Sequence, residues 1–306
     1  MRNVFRLKKC WMMIVVVVMS TALLLVCGCS SGQKSYSAMP GSGTLTGKHL
    51  MVFAGSASQP PMELAAKAFE QKTGVKVDTV FGGSGYVLSQ MKLDKKGDLY
   101  FPGSSDFMEI AKRDGVVYPE TEQKIVYLVN SINVKKGNPK NIQTLQDLTK
   151  PGIKVVIANP ECVCVGLYTV EIIEKTFTPE EKQAFRNNTL NYAESCEKTA
   201  TAVSFNTVDA VIGWSVFQYW DPGKIETIKL KPSETMRIGY IPIAISKYTG
   251  NRQLAQQFID FLQSEEGKNI FKKYQYFMTP AEAMSYIGED RPVGGEYILP
   301  KEWVKK

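Results

Sequence analysis

The sequence predicts an α/β fold of two lobes joined by a double hinge, and three observations carry that expectation. Short apolar runs alternate with amphipathic segments from residue 50 to residue 213, the pattern of parallel sheets covered by helices. Two longer strand-like runs, 124–134 and 237–246, bracket a segment with its own strand–helix units, as two crossings between lobes would. Turns rich in glycine and small polar residues recur where strands give way to helices, at the end of such sheets where ligands bind. A single continuous doubly wound sheet is the other topology this pattern allows.

In chain order, Leu50–Phe53 is a short strand, and Pro60 and Pro61 open a helix that reaches Lys72. Leu64, Ala65, Ala68 and Phe69 share one face of it, and Thr73-Gly74 ends it. Val75–Phe81 is the second strand, followed by Gly82-Gly83-Ser84-Gly85 and a helix carrying Val87, Leu88 and Met91. Leu99–Phe101 is the third, and Pro102-Gly103-Ser104-Ser105 turns into a helix with Phe107, Met108, Ile110 and Ala111. Beyond the first long run, strands at 154–158, 190–193 and 210–213 alternate with helices at 166–175 and 197–207, and Thr178-Pro179-Glu180-Glu181 is a capping box opening another helix. Helices at 251–263 and 264–274 follow the second long run, and the tail from Thr279 shows no period.

The 306 residues are 44% hydrophobic and 22% charged, which excludes disorder, collagen and coiled coil for the whole chain. His49 is the only histidine, so any scheme needing two is excluded, and its place before the first strand puts it at the surface. The net charge of +7 includes Arg2, Arg6, Lys8 and Lys9, within a 28-residue start that holds no acid; without them the chain carries +3. That is too mild for a nucleic-acid binder of this size. The four cations precede Trp11–Val26, a 16-residue apolar run interrupted only by Ser20 and Thr21. A spanning helix needs about 20 apolar residues, so this run reads as a signal peptide, with an uncleaved anchor as the other reading. Its end, Leu25-Val26-Cys27-Gly28-Cys29-Ser30, resembles a bacterial lipobox, with Gly28 at the cleavage position and Cys29 as the lipidated residue. The Ser/Gly-rich stretch to residue 47 is a flexible tether. The expected organisation is a signal peptide at 1–28, a tether at 29–47, lobe I at 48–128 and 242–306, and lobe II at 129–241. The expected place is extracytoplasmic, in the periplasm or on the outer face of the membrane that holds the lipid.

Three turns carry the candidate chemistry: Ala54–Ser58, Gly82–Gly85 and Cys162–Gly166 each follow a strand and open a helix. The first N–H groups of a helix lack intrahelical partners and the helix dipole adds partial positive charge, so such turns receive anions. Serine and glycine are also ordinary caps; the shared position of the three turns favours the anion reading. None holds Lys or Arg, and neutral donors suit a fully ionised oxyanion that only accepts hydrogen bonds. No GxxxxGK[ST], complete GxGxxG or GxSxG is present. Cys162-Val163-Cys164 at a helix start has the setting of a reactive thiolate but not the CxxC spacing of a redox enzyme. Asp98 and Asp209 flank strands and read as turn residues, and Tyr219-Trp220 as packing. The reading is a non-enzymatic receptor that needs no cofactor and holds no bare metal cation.

The segments VFAGSASQPPMELAAKAFEQKTGVKVDTVFGGSGYVLSQM, GDLYFPGSSDFMEIAKRDGVV, ANPECVCVGLYTVEIIEK, VDAVIGW, IPIAIS and FIDFLQSEEGKNIFKKYQY, in order over residues 48–278, resemble the molybdate-binding proteins of molybdenum ABC transporters. The resemblance implies a type II periplasmic-binding-protein fold, two parallel-sheet lobes with a double hinge. It also implies that a molybdate or tungstate ion is bound between them for delivery to an ABC permease by a monomer tethered to the membrane. Carried over position by position, the ligand set is Ser56 (with Ser58 as the alternative), Ser84 with its neighbour Gly85, the backbone N–H of Val165, the backbone N–H near Cys196, and Trp214 where the family has tyrosine. Another anion, such as sulfate, phosphate or a small organic anion, is the competing ligand. The resemblance also places Cys164 and Cys196 on turns facing one cleft, from which a Cys164–Cys196 disulfide is expected. Loss of the Ser84 hydroxyl is expected to weaken the ligand and leave stability almost unchanged.

Overall fold

A computed structural model describes residues 48–304. The expected signal peptide, tether and Cys29 lie outside the described residues. The chain begins with β1 (His49–Gly55), α1 (Gln59–Thr73), β2 (Lys76–Gly82), α2 (Ser84–Asp94), β3 (Leu99–Phe101), α3 (Ser105–Arg113) and β4 (Gln123–Leu128). It continues with β5 (Asn130–Lys135), β6 (Val155–Ala158), α4 (Cys164–Thr176), α5 (Pro179–Asn188), β7 (Thr189–Ala193), α6 (Cys196–Ser204), β8 (Ala210–Trp214), α7 (Phe217–Trp220) and β9 (Ile225–Lys229). It ends with β10 (Gly239–Ile245), α8 (Arg252–Gln263), α9 (Glu265–Lys272) and α10 (Pro280–Ile287). The local signals act as read: prolines fill the first turn of α1, Gly74 ends it at φ 74°, and Thr178 and Glu181 close a capping box at α5.

Two five-stranded sheets result, in the orders β2-β1-β3-β10-β4 and β7-β6-β8-β5-β9. In each, three strands run parallel and present their C-terminal ends together: β2, β1 and β3 in the first, β7, β6 and β8 in the second. The strands next to the crossings pair antiparallel, β10 with β3 and β4, and β5 with β8 and β9. The sheets expected to be parallel are therefore mixed, because a chain that crosses directly from one sheet to the other re-enters without a helical crossover.

The two long runs behave differently. The run 124–134 breaks at Val129, which alone separates β4 in the first sheet from β5 in the second. The second run lies in the first sheet from Gly239 onward, and the return crossing is made by the residues between β9 and β10. The expected lobe II boundary at 241 therefore moves to just before Gly239.

The tail adds what no periodicity announced. Ala283 and Ile287 of α10 pack with Val129 and Ile238 behind the crossings. The last turn then carries Trp303 into the second core with Ile132, Ile157 and Phe185. There the indole N–H donates to Glu174 at 2.7 Å and the Arg186 guanidinium lies 4.4 Å from the ring centre. The segment expected to belong entirely to lobe I thus ends in lobe II. His49 is exposed, 3.7 Å from Asp78. Asp98 accepts the Met51 N–H and Asp209 the Lys154 N–H, both at 2.8 Å, as strand-end clamps.

Candidate functional site

In the first sheet the ends of β1, β2 and β3 bring three turns together, and their serines are buried: Ser56, Ser58, Ser84, Ser104 and Ser105. Ser84 begins α2, and its hydroxyl oxygen accepts the Gly103 N–H at 2.9 Å while its carbonyl accepts the Tyr100 hydroxyl at 2.9 Å. A methyl group on Gly55 would stand 2.6 Å from both Ser84 Oγ and Gly103 N, so glycine is what lets these turns converge. Ser58 and Ser104, the residues before α1 and α3, are fully buried, and neither hydroxyl has a hydrogen-bond partner. A buried hydroxyl without a partner costs about 1–3 kcal/mol, and an arriving acceptor removes that cost. Ser56 instead accepts the Glu197 N–H at 3.4 Å, across the gap between the sheets.

The second sheet mirrors this arrangement. α4 starts at Cys164 beyond β6, α6 starts at Cys196 beyond β7, and β8 ends in Trp214. No side chain caps α4, whereas Ser195 caps α6 by accepting the Lys198 N–H at 3.0 Å. The two thiols face each other, with Cys164 Sγ 3.5 Å from Cys196 Sγ and both cysteines free. The expected disulfide partners are thus brought together as thiols. Burial and the neighbouring Cys196 thiol push the Cys164 thiol well up, while the Val165 N–H and the Trp214 indole act on its sulfur in the opposite sense. Trp214 is fully buried, edge-on to Tyr168 with ring centres 5.0 Å apart, and its indole N–H closes no hydrogen bond with any group. The Cys196 thiol, the Val165 N–H and the Trp214 indole are thus the neighbours of Cys164 Sγ.

The two halves meet across the site. The Gly85 N–H donates to Cys162 O at 2.8 Å. A methyl group on Gly103 would stand 2.5 Å from Cys164 Sγ, and one on Gly83 would stand 2.7 Å from Glu194 O. The sheets are closed on each other with no room for larger residues at these contacts. Outside Ser56 a cavity of about 300 Å³ remains, with Gln59, Tyr86 and Gln90 on one side and Ser195, Glu197 and Lys198 on the other.

Among the described residues, the one buried cation near the site is spoken for. Arg237 is held by Asp106 through two bonds of 2.9 and 3.1 Å and by Glu171 at 2.7 Å, with Tyr168 stacked 3.9 Å from the guanidinium carbon. Asp106 belongs to α3, Glu171 to α4 and Arg237 to the return crossing, so this cluster joins the halves without lending net positive charge. Among the described residues no group of three His, Cys, Asp or Glu side chains is placed to hold a metal ion, and no helix is long and apolar enough to cross a membrane.

The sequence-predicted positions Ser56, Ser84, Gly85, Val165, Cys196 and Trp214 are thus all at the meeting of the two sheets. Ser104 was missed. It sits in a strand-to-helix turn of the same design as the other three, and that repetition was the signal available.

Geometry and sequence agree on a class of protein: two α/β lobes that meet at their parallel-strand ends. Residues 50–276 match the model of the bacterial extracellular solute-binding proteins, and the chain belongs to that family. A Bacillus subtilis protein named as an ABC transporter substrate-binding lipoprotein, YvgL, is 24% identical over 257 residues, 84% of this chain and 94% of that one. The molybdate-binding protein ModA of Mycobacterium bovis is 24% identical over 261 residues, 83% of this chain and 93% of that one. The solved structure of the sulfate-binding protein SubI from Mycobacterium tuberculosis superposes with a TM-score of 0.65 at 18% identity, over 79% of this chain and 96% of that one, and shows the same fold.

Proposed function

We propose that this solute-binding protein is the receptor for a tetrahedral, fully ionised oxyanion, molybdate or tungstate, which it carries to an ABC permease while tethered through lipid on Cys29. The observation that carries the reading is the set of buried donors without partners, the Ser58 and Ser104 hydroxyls at the starts of α1 and α3 and the Trp214 indole N–H at the end of β8, with the nearby Arg237 compensated by Asp106 and Glu171. Such donors match an anion that only accepts hydrogen bonds. Phosphate still protonated near neutral pH needs an acceptor, and no carboxylate lies in the three serine-bearing turns. The likeness to ModA supports the same ligand class. In this reading Ser58 and Ser104 join Ser84, Val165, Cys196 and Trp214 around the anion, and Ser56 latches the lobes.

A second reading, an oxyanion bearing a small organic group, is favoured by one observation. The 300 Å³ cavity beside Ser56 offers such a group Gln59, Gln90, Tyr86 and Ser195, with Glu197 and Lys198 also on its wall. Calorimetry of the apo protein against molybdate, tungstate, sulfate, phosphate and a phosphorylated hydroxy acid separates the two. Molybdate and tungstate are expected to bind with a Kd of about micromolar or tighter, roughly −8 kcal/mol or better, with a change in tryptophan emission from Trp214. Heat from the organic phosphate alone selects the second reading.

A further inference from the structure

We propose that Cys164 and Cys196 are a reversible dithiol–disulfide pair built into the floor of the anion site, oxidised by small disulfides while the lobes are apart and sealed when they close. Three observations carry this. The sulfurs already lie 3.5 Å apart and face each other, about 1.5 Å from the ~2 Å of a disulfide. Both residues are the first of their helices, so once opening of the cleft lifts the burial that pushes the Cys164 thiol up, the helix dipole and the N–H groups of the first turn favour its thiolate. And the cover over the pair belongs to the other lobe: Gly103, at the end of β3, packs directly on Cys164 Sγ, so opening the cleft uncovers a pair that is 1% exposed when closed. Cys162, two residues away, is half-buried on the Tyr86 side and takes no part.

The chemistry balances with a low-molecular-weight disulfide, RSSR, as oxidant. Cys164 loses its proton to solvent, and its thiolate attacks one sulfur of RSSR. A Cys164–SR bond forms, the S–S bond breaks and RS⁻ leaves. Cys196, deprotonated in turn, attacks Cys164 Sγ and expels the second RS⁻. The protein has lost two electrons and two protons, and one RSSR has become two RSH.

The bond bears on the ligand as well, and this arm rests on the oxyanion reading above. In the reduced protein Cys164 Sγ lies beside the Trp214 indole N–H, which has no hydrogen-bond partner. The disulfide draws that sulfur toward α6, widens the space before the indole N–H and fixes the starts of α4 and α6 against each other. The oxidised receptor is therefore the stronger binder.

The test equilibrates the full chain in glutathione buffers of graded ratio, quenches with acid, alkylates and maps the peptides. A Cys164–Cys196 bond with Cys162 fully alkylated is expected, and Cys196→Ser should trap glutathione on Cys164, read by mass. A bond that uses Cys162, or none at any glutathione ratio, overturns the pair. Saturating molybdate should slow oxidation about tenfold or more, as closure seals the thiols. Oxidation at an unchanged rate by a chain that calorimetry shows to be molybdate-bound overturns the gating. Molybdate should also bind the oxidised chain about tenfold tighter than the reduced one, and equal affinities overturn the coupling to the ligand. If the bond forms while neither redox state binds any oxyanion, the pair stands and the oxyanion reading fails.

Discussion

Single serines at the cleft separate into two kinds, and substitution tells them apart. Ser58→Ala and Ser104→Ala each delete a buried hydroxyl that nothing satisfies in the free protein. Thermal stability should hold or rise slightly, while oxyanion affinity falls by about 1.5–3 kcal/mol, roughly tenfold or more. Lost stability with unchanged affinity would identify them as structural. Ser84 is different, and here the structure corrects the expectation of unchanged stability. Its oxygen holds the Gly103 N–H, leaving its own proton to donate. Ser84→Ala should weaken the ligand and also cost about 1–3 kcal/mol of folding free energy, because a buried N–H loses its acceptor. A melting curve identical to wild type would refute that double role.

At the scale of elements, caps and the tail carry most of what can be tested. The 3-10 turn at Leu145–Thr149 is closed by Thr144 and Asp147. Burial raises the Asp147 pKa, but hydrogen bonds from Lys150, Gln143 and Thr144 outweigh it and hold the carboxyl at about 2 against an ordinary 3.8. A depressed carboxyl pKa gives stability that is complete above the unfolded value and disappears as pH falls through the folded one. Denaturant midpoints of wild type and Asp147→Asn should therefore converge as pH drops from about 4 to about 2; a constant gap would mean the charge does not hold the turn. The tail acts through Trp303, which is 1% exposed. Trp303→Ala opens a cavity in the second core and should cost about 3–5 kcal/mol, read by chemical denaturation. A cost under about 1 kcal/mol would mean the tail only rests on lobe II.

In the molecule as a whole the two sheets meet at their strand ends, and Gly103 is where that contact leaves no space. An alanine there would put a methyl group 2.5 Å from Cys164 Sγ and 2.8 Å from the Ala57 methyl. Gly103→Ala should hold the lobes apart, press on Ala57 within its own lobe at some cost in stability, and weaken the ligand about tenfold or more, with the compaction expected on adding molybdate absent from small-angle scattering. Unchanged affinity would show that binding does not require this closure. The Arg237, Asp106 and Glu171 cluster joins the lobes on the hinge side, where each carboxylate offsets the buried cation.

What the sequence determined by itself follows from local physics. Apolar periodicity placed the strand–helix units, Pro60, Pro61 and Gly74 bounded α1, and glycine and serine at strand ends marked turns with unpaired N–H groups. The family resemblance gathered the far-apart positions Ser84, Val165, Cys196 and Trp214 into one expected ligand set, and these residues lie where the two sheets meet. Tertiary structure decided the rest, because each point depends on a partner distant in the chain. Ser56, unlike Ser58, has a hydrogen-bond partner only because Glu197, 141 residues away, donates its N–H to the Ser56 oxygen. Val129 breaks a run that looks continuous because β10 claims one side of it and β8 with β9 the other. The tail has no period of its own, because what fixes it is the Arg237 cluster, the crossings and a pocket for Trp303 in the opposite lobe.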